Sequence, residues 1–378
     1  MNSMNAFSSI ETAIEAARNG RMIVLCDDTE RDSGGDVVVA AEKVTAESVN
    51  FMAKHCRGLV CLALDSETCE RLDLPLMTNR RHSEHCEAFT VSIEAAKGVT
   101  TGISTADRAR TILATVAPEA KAEDLVRPGH IFPIKVEDGG VLSRAGHVEA
   151  ATDIMRLAGL RPAAVVCRIL NEDGMVAKMP VLKDFALQYG ISMAKVADLI
   201  SFRLRTESFT ERGAETSLVT PHGEFKAVCF TNKLDKVIHL ALIKGELSPE
   251  KEIMVRIHRE CLIGDVFFPS KCKCAENLRR AMSMINEEGL GIILYLRHAA
   301  EPPCLCSRLP HFTGNPDACT YQMADISAEH VSLVEYGVDA QMLVELGVHK
   351  VRVLTDNPRK IVGVKGYNLE IVEAIPLR

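Results

Sequence analysis

The feature that most constrains this chain is a repeated alternation of short apolar runs with segments of helical period. Met22 to Cys26, Leu59 to Leu64 and Ala163 to Cys167 are each short enough for a buried strand. Between them lie helical patterns. Ser8 followed by Glu11 fits a capping box, Ile10, Ala13, Ile14 and Ala17 share one face, and Gly20 closes the turn. Further helices are expected around Thr45 to Cys56 and Glu149 to Ala158. The second half continues with strands at Met254 to His258, Gly291 to Leu296 and Val351 to Leu354, and helices at Glu276 to Asn286 and Ala340 to Leu346. Such interleaving predicts layered α/β (α+β) architecture.

A length of 378 residues exceeds one ordinary domain. A polar seam from Arg203 to Gly213 divides it, giving expected domains 1–205 and 206–378. The chain is 47% apolar and 25% charged, which excludes a disordered or fibrous protein. A net charge of −7 argues against nucleic acid or an anionic membrane as partner, while leaving room for a small anion held by local arginines. No apolar stretch approaches the ~20 residues that span a bilayer, and the start does not read as a secretion signal. Thirteen cysteines in a chain of this size fit a reducing, cytoplasmic setting, as small buried hydrophobes or metal ligands.

Two constellations carry candidate chemistry. The first is the acidic stretch Asp27 to Asp36 after a strand, with Arg127-Pro128-Gly129-His130 and Arg144-Ala145-Gly146-His147. Carboxylates, imidazoles and guanidiniums of this kind suit a hard cation and a phosphorylated sugar, although composition alone reads the acidic turn as a solvated loop. The second is Cys261, Cys272 and Cys274. Three thiolates with an open fourth position suit catalytic zinc; the spacing alone leaves open a scatter of buried cysteines.

The wider motifs resolve both. Cys26 to Asp36, Arg57 to Cys61, Ala88 to Val91, Gly98 to Ser104, Asp107-Arg108, Arg127 to Pro133, Gly139 to Ala151 and Leu157 to Gly159 resemble 3,4-dihydroxy-2-butanone 4-phosphate synthase, in order over residues 8–205. Val255 to Phe267, Leu294 to Arg297, Leu354 to Lys360 and Ile375 to Leu377 resemble GTP cyclohydrolase II. Together the halves are similar to bifunctional riboflavin biosynthesis proteins. The resemblance implies a homodimer. It also implies a Mg²⁺-dependent split of ribulose 5-phosphate into a four-carbon ketone phosphate and formate, and a Zn²⁺-dependent opening of the GTP imidazole ring.

Carried over to this sequence, the resemblance makes Arg31, Asp36 and Arg144 substrate contacts, His147 a metal ligand and His130 essential. Asp32 stands where the family has a metal-binding Glu, shorter by roughly 1.5 Å. Gly34 replaces a second loop carboxylate, Glu87 and Val148 each replace a Thr, and Arg168, expected to meet an anionic ligand, replaces a catalytic Glu. In the second half Cys261, Cys272 and Cys274 match the zinc ligands, and Arg256, His258, Glu260, Thr355 and Lys360 match nucleotide contacts, as does Asn277 in place of Gln. His298 to Pro302 departs from the family's phosphate-side run. Ser332 and Val334 fall where a proton acceptor and a nucleophilic Arg belong. Valine cannot attack phosphorus. These departures predict any activity in the first half, impaired, and none on GTP. The alternative is a non-catalytic, zinc-containing homologue that binds a phosphorylated metabolite or a partner in flavin supply.

Overall fold

The computed structural model describes residues 7–27, 34–78, 87–234, 236–270, 272–297, 328–356 and 369–377, with the backbone alone over 328–336. Two compact units divide the chain, Met1–Phe202 and Arg203–Arg378.

The first unit has strands β1 (Ile23–Cys26), β2 (Gly35–Ala40), β3 (Arg57–Leu64), β4 (Ile93–Ala95), β5 (Leu125–Lys135), β6 (Ala163–Ile169) and β7 (Ser192–Lys195). Its helices are α1 (Ile10–Arg18), α2 (Ala46–Phe51), α3 (Ser66–Arg71), α4 (Thr105–Thr115), α5 (His147–Leu157), α6 (Met179–Tyr189) and α7 (Val196–Thr206). The strands form one mixed sheet ordered β4-β5-β3-β6-β2-β1-β7. Alternate residues such as Val37, Val39, Leu62, Leu64, Val165 and Cys167 fill a continuous core with α2, α4 and α6. Burial on both faces explains why these strands read as unbroken apolar runs. No helix among the described residues is long and apolar enough to cross a membrane.

Local chemistry corrects several expectations. Ser9, not Ser8, caps α1 by accepting from the Thr12 N–H at 3.3 Å. The segment expected as one helix from Thr45 to Cys56 is α2, capped by Thr45, followed by a wider π turn that ends on Arg57 at positive φ. The stretch 27–36 is not wholly a loop: Gly35 and Asp36 begin β2, which pairs antiparallel with β1, Cys26 opposite Gly35. The polar seam is structured as well. Helix α7 runs to Thr206, and Arg203 is 2% exposed, its Nε and Nη2 donating to the Glu207 carboxylate at 2.8 and 2.7 Å.

The second unit adds β8 (Thr210–Thr220), β9 (Gly223–Asn232), β10 (Ile238–Lys244), β11 (Glu252–Arg259), β12 (Gly291–Leu296), β13 (Lys350–Leu354) and β14 (Glu370–Ile375). Helices α8 (Leu262–Phe267), α9 (Cys274–Glu288) and α10 (Ala328–Glu345) accompany them. The sheet order is β14-β13-β11-β12-β10-β9-β8, parallel from β14 to β12 and antiparallel beyond. The helix expected at Ala340 to Leu346 begins at Ala328. The parallel strands β11 and β12 end side by side, His258 opposite Tyr295, where the cysteine loop departs.

Candidate functional site

In the first unit, β2 and β6 are antiparallel neighbours with Asp36 directly opposite Arg168. Arg168 Nε donates to Asp36 Oδ1 at 2.9 Å, and its Nη2 lies 3.4 Å from His147 Nδ1. His147, the first residue of α5, is 6% exposed and places Nδ1 3.5 Å from Asp36 Oδ2 and Nε2 3.3 Å from Asp27 Oδ1. Burial holds the imidazole pKa down at about 4, with Asp27 pulling the other way, so the ring is neutral at pH 7. Burial also pushes Asp36 up to about 6, opposed by the Arg168 charge.

A ring of further charges surrounds this triad. Arg144 Nη1 donates to Glu149 Oε1 at 3.3 Å, and Glu149 is fully buried on α5. Burial and the nearby Asp36 raise the pKa of Glu87, against the pull of Arg144 and Arg168. Sequence reasoning singled out Asp36, Arg144, His147 and Arg168, and the fold gathers all four. It overlooked Glu149, whose acidic side chain within the apolar run of α5 was the available signal. Arg31 and Asp32 lie outside the described residues.

His130 is placed elsewhere in this chain, on β5, two strands from β6. Its Nδ1 is 2.7 Å from Glu94 Oε2, and Thr111 Oγ1 donates to Glu94 Oε1 at 2.9 Å. Asp107 ties the adjacent loop to α4 by accepting from Thr100 and from the Gly102 N–H. The His130 side chain keeps 43% of its surface exposed, so one face of the ring is open.

The fit to a hard divalent cation turns on His147. Among the described residues its Nε2 is buried without a hydrogen-bond partner, and it faces the Asp27 carboxylate. An orphaned imidazole nitrogen beside a carboxylate suits such an ion.

In the second unit the sulfurs of Cys261, Cys272 and Cys274 lie within 4.8 Å of one another, with those of Cys261 and Cys272 4.0 Å apart. Tetrahedral zinc–thiolate bonds place sulfurs roughly 3.8 Å apart, so the residues fit Zn²⁺. A Cβ on Gly264 would stand 2.4 Å from Cys272 Sγ and 2.8 Å from Cys261 Sγ, so the glycine makes the space. Hydrogen bonding from Cys274, aided by the Gly264 N–H and Cys272, brings the Cys261 thiol down to about 6 against the cost of burial.

Beneath this cluster Asp265 accepts the Cys261 N–H at 2.9 Å, the Tyr295 hydroxyl at 2.9 Å and the His258 ring at 3.1 Å. His258 is 2% exposed and stacked on Tyr295, so it supports the cysteine loop. Arg256 donates to the Leu354 carbonyl at 2.9 Å, tying β11 to β13, and burial lowers its pKa. Glu260 lies 3.8 Å from Arg297, while Asn277 on α9 and Thr355 after β13 are half-buried. Lys360 and residues 298–327 lie outside the described residues, as do the side chains of Ser332 and Val334.

The first unit thus joins an acid–imidazole–guanidinium cluster to the ends of β2 and β6, and the second holds a trithiolate centre. The sequence profile of 3,4-dihydroxy-2-butanone 4-phosphate synthase matches residues 11–202, and that of GTP cyclohydrolase II matches residues 211–376. The riboflavin biosynthesis protein RibBA of Aquifex aeolicus is 44% identical over 376 residues, covering 98% of this chain and 93% of the relative. That of Bacillus cytotoxicus is 43% identical over 373 residues, covering 98% and 94%. Among solved structures, RibBX, a two-domain 3,4-dihydroxy-2-butanone 4-phosphate synthase from A. baumannii, superposes with a TM-score of 0.78 at 36% identity, covering 98% of this chain and 99% of that one. A 3,4-dihydroxy-2-butanone 4-phosphate synthase in complex with two magnesium ions matches at 37% identity and TM-score 0.50, covering 53% and 98%. The chain belongs to the riboflavin biosynthesis family that joins a 3,4-dihydroxy-2-butanone 4-phosphate synthase domain to a GTP cyclohydrolase II domain.

Proposed function

We propose that the first unit converts ribulose 5-phosphate into 3,4-dihydroxy-2-butanone 4-phosphate and formate, Mg²⁺-dependently and more slowly than a synthase with a carboxylate at position 168. The second unit keeps a zinc site without opening the ring of GTP. The observation that carries this reading is the contact set of Asp36, His147 and Arg168, which keeps the acid and the imidazole in place but adds a positive charge.

Splitting the five-carbon ketose into four carbons plus formate begins with enolisation, which needs groups that move protons beside a polarised carbonyl. Asp36, a buried carboxylate, and Glu87, a half-buried one, are in reach of that task, and Arg144 and Arg168 offer donors to anionic oxygens. Mg²⁺ beside His147 Nε2 and Asp27 would supply charge stabilisation for the enolised sugar. A guanidinium next to the imidazole opposes that cation, which is why the rate is lowered. Arg31 and Asp32 join this site on the strength of the family motif, as does His130.

For the second unit the support is chemical. Val334 and Ser332 lack the groups that attack phosphorus and accept a proton, while Cys261, Cys272 and Cys274 retain the donors for zinc. The A. baumannii two-domain relative, RibBX, is likewise a 3,4-dihydroxy-2-butanone 4-phosphate synthase. On the strength of the family motif, Arg256, His258, Glu260, Asn277, Thr355 and Lys360 are then nucleotide contacts that serve no turnover.

The test uses purified, zinc-loaded full-length chain. Formate from ribulose 5-phosphate with Mg²⁺ is expected, and formate with pyrophosphate from GTP is not. Silence in the first assay, with ribulose 5-phosphate still raising the unfolding temperature, would instead identify a protein that binds the sugar phosphate without converting it.

A further inference from the structure

Arg168 does more than lie beside the acid cluster. A Cβ on residue 34 would stand 2.3 Å from Arg168 Nη1, so the guanidinium fills the space that any side chain at that position would take. Gly34 and Arg168 are therefore a matched pair. The guanidinium has three nitrogens, all donors. Its Nε is satisfied by Asp36 Oδ1 and its Nη2 faces His147 Nδ1. The two carboxylates flanking the imidazole are thus unequal: Asp36 is neutralised by a fixed cation, whereas Asp27 stands against the unpartnered Nε2 of His147.

We propose that Arg168 is a built-in cation that restricts the first unit to a single divalent metal ion, on the Asp27–His147 Nε2 side; a related synthase is solved in complex with two magnesium ions. This deepens the synthase reading and rests on it for its substrate. The same contact weakens the remaining ion by two routes. One is charge: a guanidinium in contact with the ligating imidazole repels a dication. The other is the ring hydrogen. Nδ1 faces a donor, Arg168 Nη2 at 3.4 Å, and an acceptor, Asp36 Oδ2 at 3.5 Å. A cation on Nε2 needs the hydrogen on Nδ1, directed to Asp36, and so must break the donation from Arg168. The remaining nitrogen, Nη1, lies over Gly34 and is the donor left to meet an anionic oxygen of the ligand.

The experiment counts Mn²⁺ bound to zinc-loaded, full-length protein without substrate, by electron paramagnetic resonance of the free ion. The wild type should bind one Mn²⁺ per chain. R168Q, which removes the charge, should keep one and tighten it about tenfold or more. R168E should bind a second. G34A, whose methyl displaces the end of a flexible side chain, should tighten Mn²⁺ in the same direction as R168Q and remains informative if R168E fails to fold. A wild type that binds two ions or none overturns the proposal, as do R168Q and G34A with unchanged affinity. Formate release is assayed separately. Its absence beside the expected Mn²⁺ counts would remove the synthase reading and leave the single-cation site standing.

Discussion

Arg168 and Asp36 sit opposite each other across β2 and β6 in register, joined by a 2.9 Å hydrogen bond between a partly exposed guanidinium and a carboxylate that is 4% exposed. The pairing solves a problem that the fold creates for itself. Asp36 lies in a strand buried along its whole length, where an uncompensated carboxylate is costly.

Removing one partner of a buried ion pair leaves the other charge uncompensated, typically at about 3–5 kcal/mol. Arg168 keeps a third of its side chain exposed, which screens the pair. R168M should therefore destabilise the first unit by about 2–3 kcal/mol at pH 8 in chemical denaturation. Adding D36N should recover most of the loss. Additive losses in the double variant would refute the coupling.

The strands were legible because burial on both faces writes itself as unbroken apolar runs: Gly291 to Leu296 is β12 to the residue. Asp36 was harder to place. Gly34 and Gly35 read as a turn, whereas Gly35 is a buried strand residue opposite Cys26, because the close approach of Leu182 leaves no room for a side chain. The grouping of Cys261, Cys272 and Cys274 was visible from the surrounding motif. Their supports were not, since Asp265 and Tyr295 are separated by 30 residues and meet only because α8 folds back under the ends of β11 and β12. The same holds for Glu94 and Glu149, acids whose pairing with His130 and Arg144 depends on sheet order and helix phase.

Asp339 on α10 is a different kind of buried acid. It is fully buried, and neither carboxylate oxygen has a side-chain hydrogen-bond partner among the described residues. Burial pushes its pKa from 3.8 up to about 7, partly offset by Arg259. The folded state therefore holds a proton that the unfolded chain releases near pH 4, and stability is lost as pH rises from about 4 to 7. Each pH unit is worth about 1.4 kcal/mol, so the carboxylate costs the fold about 4 kcal/mol by pH 8. D339N stays neutral but buries an unpaired amide, which takes back about 1–3 kcal/mol. The second unit of D339N should gain about 1–3 kcal/mol at pH 8 and show a flatter stability profile between pH 5 and 8. A profile as steep as the wild type's would exclude Asp339 as its source.

Gly264 controls the trithiolate centre by absence. A methyl there would overlap two sulfurs, so G264A must push Cys261 and Cys272 apart. Zinc affinity should fall about 10–100-fold, the range seen when supports of a metal site are altered. Competition with a coloured chelator measures it. A variant that retains zinc as tightly as the wild type would show that the sulfurs can spread without loss.

Asp265 makes a sharper test because its three donors fix what it must be. His258, the Cys261 N–H and the Tyr295 hydroxyl all point hydrogens at one carboxylate, and despite burial these bonds keep its pKa below the usual value. D265N removes the charge these three donors share and turns one acceptor oxygen into an NH₂, so the His258 ring must switch tautomer or a donor is left unpaired. The second unit should lose about 2–3 kcal/mol, the scale of a hydrogen bond to a charged group left unmade, and zinc should bind about tenfold or more weakly as the Cys261 loop loosens. Y295F removes a single donor and leaves the loop N–H and the imidazole in place. It should cost about 1 kcal/mol and hold zinc nearly as well as the wild type. Equal zinc affinities in D265N and Y295F would mean that Asp265 supports the fold without orienting the metal ligands.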